Sequence, residues 1–492
     1  MHAEIHIERG RIRAVLPHAD GVVIRTEHHT HSYPGAVVFP GFCDAHMHVL
    51  GLGRRLTSVS LHDASSAEEC CDRLRTATST VGGWIIGMGW DQELWRDSSY
   101  PSSDLLDARV PDVPVIASRV DGHVLWLNAA ARAAVRATGI ALPDHAVFID
   151  LFIPEIWSAV PQLTDAEITT MIAAAGAECV RNGITEVHDM DVPAFVLEPM
   201  RAMAEAGTLP MRVQSFVTAQ NNEWDTWGLL PAGGELLRIA GVKLYADGAL
   251  GSRGAWMLEP YHDDPSTSGI PLLNAEQITE RVLRAAEAGW TSVAIHAIGD
   301  AAVREVLNAY EVVRESYDVD YLILRIEHAQ HVHPDDVGRF AALDVIAVMQ
   351  PTMCLSDARM AERRLGTERL PWAYRWRSLL DAGTMIAASS DAPIEAPSPL
   401  AALDALTRRT LAMENNAWQG QERVDMHEAI EMYGMPAQTA AEQDYRRGEL
   451  AIGYDADLVV LAADPESIPV TANKVLATYV AGQRRYGADH AS

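Results

Sequence analysis

The chain has 492 residues, 48% of them hydrophobic, and a formal net charge of −28. That length fits one large domain with an accessory domain rather than one small core. The charge opposes any polyanion and no apolar run approaches the ~20 residues of a membrane span, so neither nucleic acid nor membrane is an expected partner.

Met1 to Val15 alternates apolar and polar residues and lacks the apolar block of a secretion signal, so the expected compartment is the cytoplasm. Five cysteines, an odd number that includes the neighbours Cys70 and Cys71, read as reduced thiols. Ala3 to Leu16 reads as two strand arms around Glu8-Arg9-Gly10, and "GVVIRTE" as a third strand. His29 and His31 then fall in a polar stretch before Pro34-Gly35 and read as exposed loop. The far end, "GYDADLVVLAAD" and "KVLATYVAGQRRYG", is again short and β-rich. Neither end makes a stable sheet alone, so 1–38 and 446–492 are expected to combine into one small β-sandwich.

Between them, 39–445 alternates strand-like and helical stretches. Eight strand candidates follow in order: "AVVFPGFCDAHMH", "GITEVHDM", "MRVQSFVT", "LLRIAGVKLYADG", "WTSVAIHAIGD", "YLILRIEHA", "DVIAVMQP" and "TMIAASSDAPI". Helical runs such as "AEQITERVLRAAEAG" lie between several of them and end at glycine. Alternation of this kind predicts an α/β fold, a (β/α)8 TIM barrel. The interval of about 52–160 is too long for one connection and reads as a strand-containing insertion.

In a barrel, strand carboxyl ends converge on one face. The first strand ends in His46 and His48, the fourth carries Lys243, the fifth His296, the sixth His328 and the eighth Asp391. These are nitrogen and oxygen ligands of the kind that divalent zinc-type ions take. Of the three His-x-His pairs, only His46/His48 ends an apolar strand; His331/His333 precedes Pro334 and Asp335 and reads as loop or helix cap. Lysine occurs only at Lys243 and Lys474 among 39 basic residues. A lysine amine can lose its proton and react where guanidinium cannot, which gives Lys243 a reason to persist.

These motifs resemble the amidohydrolase superfamily and its YtcJ-like branch, which includes enzymes similar to N-substituted formamide deformylases. The resemblance rests on "FPGFCDAHMH", "RVDGHVLWLNAAA", "GITEVHD", "GVKLYADGALGSRGA", "VAIHAIGDAA", "LRIEHAQ", "SSDAPI" and "RRGELAIGYDADLVVL", which cover nearly the whole chain. It implies one or two divalent ions, zinc first with Mn2+ or Fe2+ as alternatives. Their implied ligands are His46, His48, N-carboxylated Lys243 as a bridge, His296, His328 and Asp391. The competing reading of Lys243 is a buried pair with Asp247 or Glu186, which favours a single metal.

The expected activity is hydrolysis of a C–N bond of amide type, such as an N-formyl or N-acyl group, with Asp391 as ligand and base. Whichever of His296 and His328 is held less tightly could orient the substrate carbonyl. Hydrolytic deamination, or opening of a cyclic imide or lactam, would use the same constellation, and an inert scaffold would lack ligands. Candidate substrate-binding residues are His123, Arg253 in the glycine-rich "DGALGSRGA", and Trp90, with Trp95 and Trp126 beside it. His188 and Asp189 could support the ligands. The expected partners are a small-molecule substrate and a second copy of the chain, as a dimer.

Overall fold

Eight short strands rich in aliphatic and β-branched residues pair in parallel, a geometry that buries both faces of each strand. They are β1 (Phe42–Met47), β2 (Ile184–Val192), β3 (Arg212–Thr218), β4 (Leu237–Tyr245), β5 (Ser292–Ala297), β6 (Ile323–His328), β7 (Val345–Met349) and β8 (Ile386–Ala388). Each is hydrogen-bonded to its neighbour in chain order, from β1 through to β8. In the computed structural model, residues 1–77, 80–96, 98–120, 124–149, 152–220, 224, 232–411 and 417–487 are described. They fall into two units, Met1–His48 with Gly176–Ser492, and Val49–Ala175.

The circle closes between β8 and β1 through individual bonds rather than a regular ladder. Asp391 N–H donates to the His46 carbonyl and His48 N–H to the Ala392 carbonyl, both at 2.8 Å. Asp44 Oδ1 accepts from Ser390 N–H at 3.0 Å. Helices such as Ala194–Glu205, Ala275–Glu287, Asp300–Ser316 and Pro351–Arg369 follow individual strands, which completes the (β/α)8 TIM barrel.

The apolar run Ala36–His48, which reads as one strand in the sequence, serves two sheets. Val37–Pro40 pairs antiparallel with Leu458–Leu461, and only β1 enters the barrel. The break is Gly41, where a Cβ would lie 2.2 Å from the Thr185 side chain. Val37–Pro40, Leu458–Leu461, Val475–Val480 and Gln483–Tyr486 make one four-stranded sheet, and four strands between Ala3 and Tyr33 make another. Ile5, Ile24, Val38, Leu458 and Val460 share one core between them, and Tyr33 and Tyr479 hydroxyls meet at 2.9 Å. This is the sandwich built from both termini. His31 is not in a loop: it lies on the strand Thr30–Tyr33, and its Nδ1 is 2.9 Å from the Tyr479 hydroxyl.

The unit Val49–Ala175 has its own five-stranded sheet, in the spatial order Val147–Ile149, Val124–Leu127, Val115–Arg119, Ile85–Trp90, Val59–Ser60. Its core includes Leu61, Leu74, Trp90, Trp95, Val115 and Trp126. All five cysteines are buried and unbridged. Among the described residues no helix is long and apolar enough to cross a membrane.

Candidate metal centre

The barrel brings His46, His48, His296, His328, Lys243 and Asp391 to one end of the sheet. The imidazoles form a continuous series, with ring centroids 5.6 Å apart for His48 and His46, 4.9 Å for His46 and His328, and 4.5 Å for His328 and His296. The strand ends are bent to aim these groups. His328 has φ 75° and Asp391 φ 55°, in the left-handed region that costs a non-glycine residue about 1–3 kcal/mol and recurs at functional sites.

Three imidazoles have one nitrogen already bound, and that fixes the other. His46 Nδ1 is 2.5 Å from Glu327 Oε2, His48 Nδ1 is 3.0 Å from the Met190 carbonyl, and His328 Nδ1 is 2.8 Å from Gln350 Oε1. Each partner is an acceptor, so each Nδ1 carries the hydrogen and each Nε2 keeps its lone pair. The Gln350 amide is itself oriented, its Nε2 donating to Ser389 Oγ at 3.0 Å.

Those lone pairs meet a carboxylate. Asp391 Oδ1 lies 3.2 Å from His48 Nε2 and 3.4 Å from His46 Nε2. Facing lone pairs at that separation repel unless a cation lies among them. His46 Nε2 is buried with no hydrogen-bond partner among the described residues, and the three side chains present ligand atoms within 4.8 Å of one another. The donor set therefore fits a divalent ion of zinc type. Burial opposes charge on His46, yet Asp391 and Glu327 together raise its pKa, which again marks a place built for positive charge.

His328 is pushed down to about 4, by burial and then by His46. His296 is held well below the usual imidazole range, mainly by burial and then by His328. It is the most loosely held of the four, with Nε2 3.4 Å from Asp247 Oδ1 and 3.5 Å from the Gly248 carbonyl. Lys243 is buried, which lowers its pKa, and its Nζ sits 4.1 Å from the Tyr245 ring centroid. Among the described residues no carboxylate lies within salt-bridge distance of it. Asp247 accepts from the N–H groups of Ile298, Gly299 and Trp256, and Glu186 is bound by Gln214, Gln438 and Arg447. The pairing of Lys243 with either acid is thus not what the fold contains.

Other expected residues fare differently. Trp90 is not on a substrate surface: it is fully buried, its Nε1 donates to the Ala117 carbonyl at 2.9 Å and its ring stacks on Trp95. Arg253 is not a free anchor, because its Nε and Nη2 both bind Asp263 at 3.2 Å and tie the loop to itself. His123 lies outside the described residues. His333 caps the turn at Pro334–Asp336 by accepting from Asp335 N–H. Residues that the sequence reading passed over are Glu327, Arg325 and Gln350. The signal for two of them was present, since Arg325 and Glu327 are charges on a strand expected to be buried on both faces.

A cavity of about 860 Å3 opens elsewhere, at the seam of sandwich and barrel, among Arg9, Arg11, Arg212, Arg446 and Tyr479. Arg212 and Arg446 there are paired with Asp455, Asp457 and Glu235. Its charge is structural, and none of the candidate ligands lines it.

A parallel barrel whose strand ends gather four imidazoles, a carboxylate and a buried lysine defines a metal-dependent hydrolase. The chain belongs to the amidohydrolase family, which it matches over residues 34–486. It is 32% identical over 466 residues to YtcJ of Bacillus subtilis (strain 168), spanning 89% of this chain and 86% of that protein. It is 26% identical over 496 residues to the N-substituted formamide deformylase of Arthrobacter pascens, spanning 92% and 89%. A metal-dependent hydrolase from Pyrococcus horikoshii OT3 superposes with a TM-score of 0.82 at 26% identity, over 96% of this chain and 98% of that one.

Proposed function

We propose that this hydrolase cleaves the C–N bond of an amide-type substrate, of which N-formyl and N-acyl amines are the favoured class. The observation that carries the reading is the division of labour within Asp391. Oδ1 faces His46 and His48, while Oδ2 has no hydrogen-bond partner among the described residues and is available to a proton. A divalent ion, zinc in the first instance, would be held by His46, His48, His328, Asp391 and Lys243, and would supply Lewis acidity that polarises a carbonyl and acidifies water.

Asp391 Oδ2 then takes a proton from the attacking water as its oxygen bonds to the carbonyl carbon. The same oxygen returns the proton to the departing nitrogen as the C–N bond breaks, so a carboxylic acid and an amine form, and the acid's remaining proton passes to the amine to give carboxylate and ammonium. His296, the least constrained imidazole, would orient the carbonyl oxygen. Lys243 would serve as its carbamate: burial outweighs the pull of Glu327, Asp391 and Asp191 and favours the neutral amine that reacts with CO2. Kinship with a formamide deformylase supports the N-formyl class.

The test is a hydrolysis screen of N-formyl amines, N-acyl amines and cyclic amides with Zn2+ or Mn2+ supplied, scored by amine release. Release that depends on added metal and disappears in Asp391→Asn is expected. A panel without amine release, alongside turnover of esters, would contradict the C–N assignment.

A further inference from the structure

A second convergence of ligand-type residues, Cys43, Glu186 and His188, lies buried in the barrel, yet its chemistry is already committed. Glu186 is held by Arg447 at 3.2 and 3.3 Å and by Gln214 at 2.6 Å. His188 Nδ1 is 2.9 Å from Arg325 Nη1. Guanidinium can only donate, so His188 Nδ1 accepts, its hydrogen is on Nε2, and Nε2–H points at Cys43 Sγ, 3.5 Å away. The cluster is therefore one end of a hydrogen-bonded chain rather than a metal site.

The chain runs on toward the candidate centre. Arg325 donates through Nε to Glu327 Oε1 at 2.5 Å and through Nη2 to Oε2 at 3.1 Å, and Nη2 also reaches the Ala45 carbonyl at 2.6 Å. Phe216 covers the guanidinium, 4.7 Å from its ring centroid. Glu327 Oε2 then meets His46 Nδ1. Arg325 and Glu327 have no solvent exposure, so the carboxylate cannot swing away to water.

We propose that His188, Arg325 and Glu327 are positioning residues of the metal centre: His188 and Arg325 fix the Glu327 carboxylate, which fixes His46 as the Nδ1–H tautomer with its Nε2 lone pair toward the cation. The Ala45 contact lets the same guanidinium hold the backbone beside the ligand it orients. Groups that bind a ligand imidazole from behind typically set metal affinity by 10- to 100-fold. The proposal rests on His46 being a metal ligand.

The test compares Zn2+ dissociation constants, by chelator competition, in the full-length protein. Removing one partner leaves a buried charge unpaired, so both are replaced: Arg325→Met with Glu327→Met removes the ion pair at similar volume, an exchange that folds well elsewhere. Zn2+ binding about 10- to 100-fold weaker than the parent is expected, with partial recovery when Arg325→Met is combined with Glu327→Gln, which restores a neutral acceptor to His46. Parent-like affinity in the double-Met variant, or no recovery with Gln, would overturn the proposal. A measurement without these variants is 15N histidine NMR of the metal-free protein, assigned with His46→Ala. The Nδ1–H form of His46 supports the proposal and the Nε2–H form overturns it. Zn2+ binding unchanged by His46→Ala would instead fail the ligand reading itself, which separates the two.

Discussion

His46 and Asp391 meet twice: the Asp391 N–H donates to the His46 carbonyl at 2.8 Å, and the Asp391 carboxylate faces the His46 ring with Oδ1 3.4 Å from Nε2. The bond that closes the barrel between its first and last strands therefore also sets the spacing of two candidate ligands. Site geometry is inherited from backbone closure, and side-chain chemistry can be altered without opening the sheet.

Asp391→Asn keeps that backbone bond and the side-chain size but removes the basic oxygen. It should retain at least one metal ion per chain and the parent's thermal midpoint. Its kcat should fall by roughly 10²–10⁴, the usual contribution of a general acid–base group. Parent-like turnover would place the proton carrier elsewhere.

Lys243→Ala should lose bound metal and most activity, with partial rescue by acetate or propionate, which can occupy the space of the carbamate. Lys243→Arg should not be rescued, since guanidinium forms no carbamate and leaves no room for the added acid. Metal analysis with and without added carboxylate reads the result. An Arg variant as active as the parent would dismiss the carbamate.

His331 gives the fold an acid limb. It is buried, with Nδ1 3.0 Å from the Ile298 carbonyl, and burial pushes its pKa down to about 4 from about 6.5 in an unfolded chain. The unfolded state then binds more protons below pH 6.5, so stability is full above that value and is lost as pH falls toward 4. The loss from this group is about 2 kcal/mol between pH 7 and pH 5. Urea midpoints of the parent and His331→Asn at those two pH values should show a smaller decline in the variant. Equal declines would remove His331 as the cause.

Much of this arrangement was legible in the sequence because topology does the assembling. Once His46, Lys243, His296, His328 and Asp391 are each placed at the end of a parallel strand, a barrel has to bring them to one face. What the sequence did not show is direction and partnership. Tryptophan is as suited to a pocket wall as to a core, and nothing in the local pattern turns Trp90 toward Trp95 and Ala117. Arg253 sits in a loop rich in glycine, but its partner Asp263 is found only by the fold of that loop. Glu327 stands next to His328, which drew attention to the ligand; its own target, His46, is 281 residues away.

Trp90→Ala should accordingly cost about 3–5 kcal/mol of stability, as large aromatic truncations in a core do. Trp90→Phe should leave KM for the best substrate unchanged. A large rise in KM with parent-like stability would return Trp90 to the substrate site.

His46 and His48, and not another His-x-His pair, are proposed to hold the catalytic metal. Zinc stoichiometry, measured by elemental analysis after purification without chelator and reconstitution with Zn2+, tests it directly. His46→Ala with His48→Ala should lose most of the bound zinc, while His29→Ala with His31→Ala should match the parent. Equal losses in the two double variants, or full zinc in the first, would contradict the account.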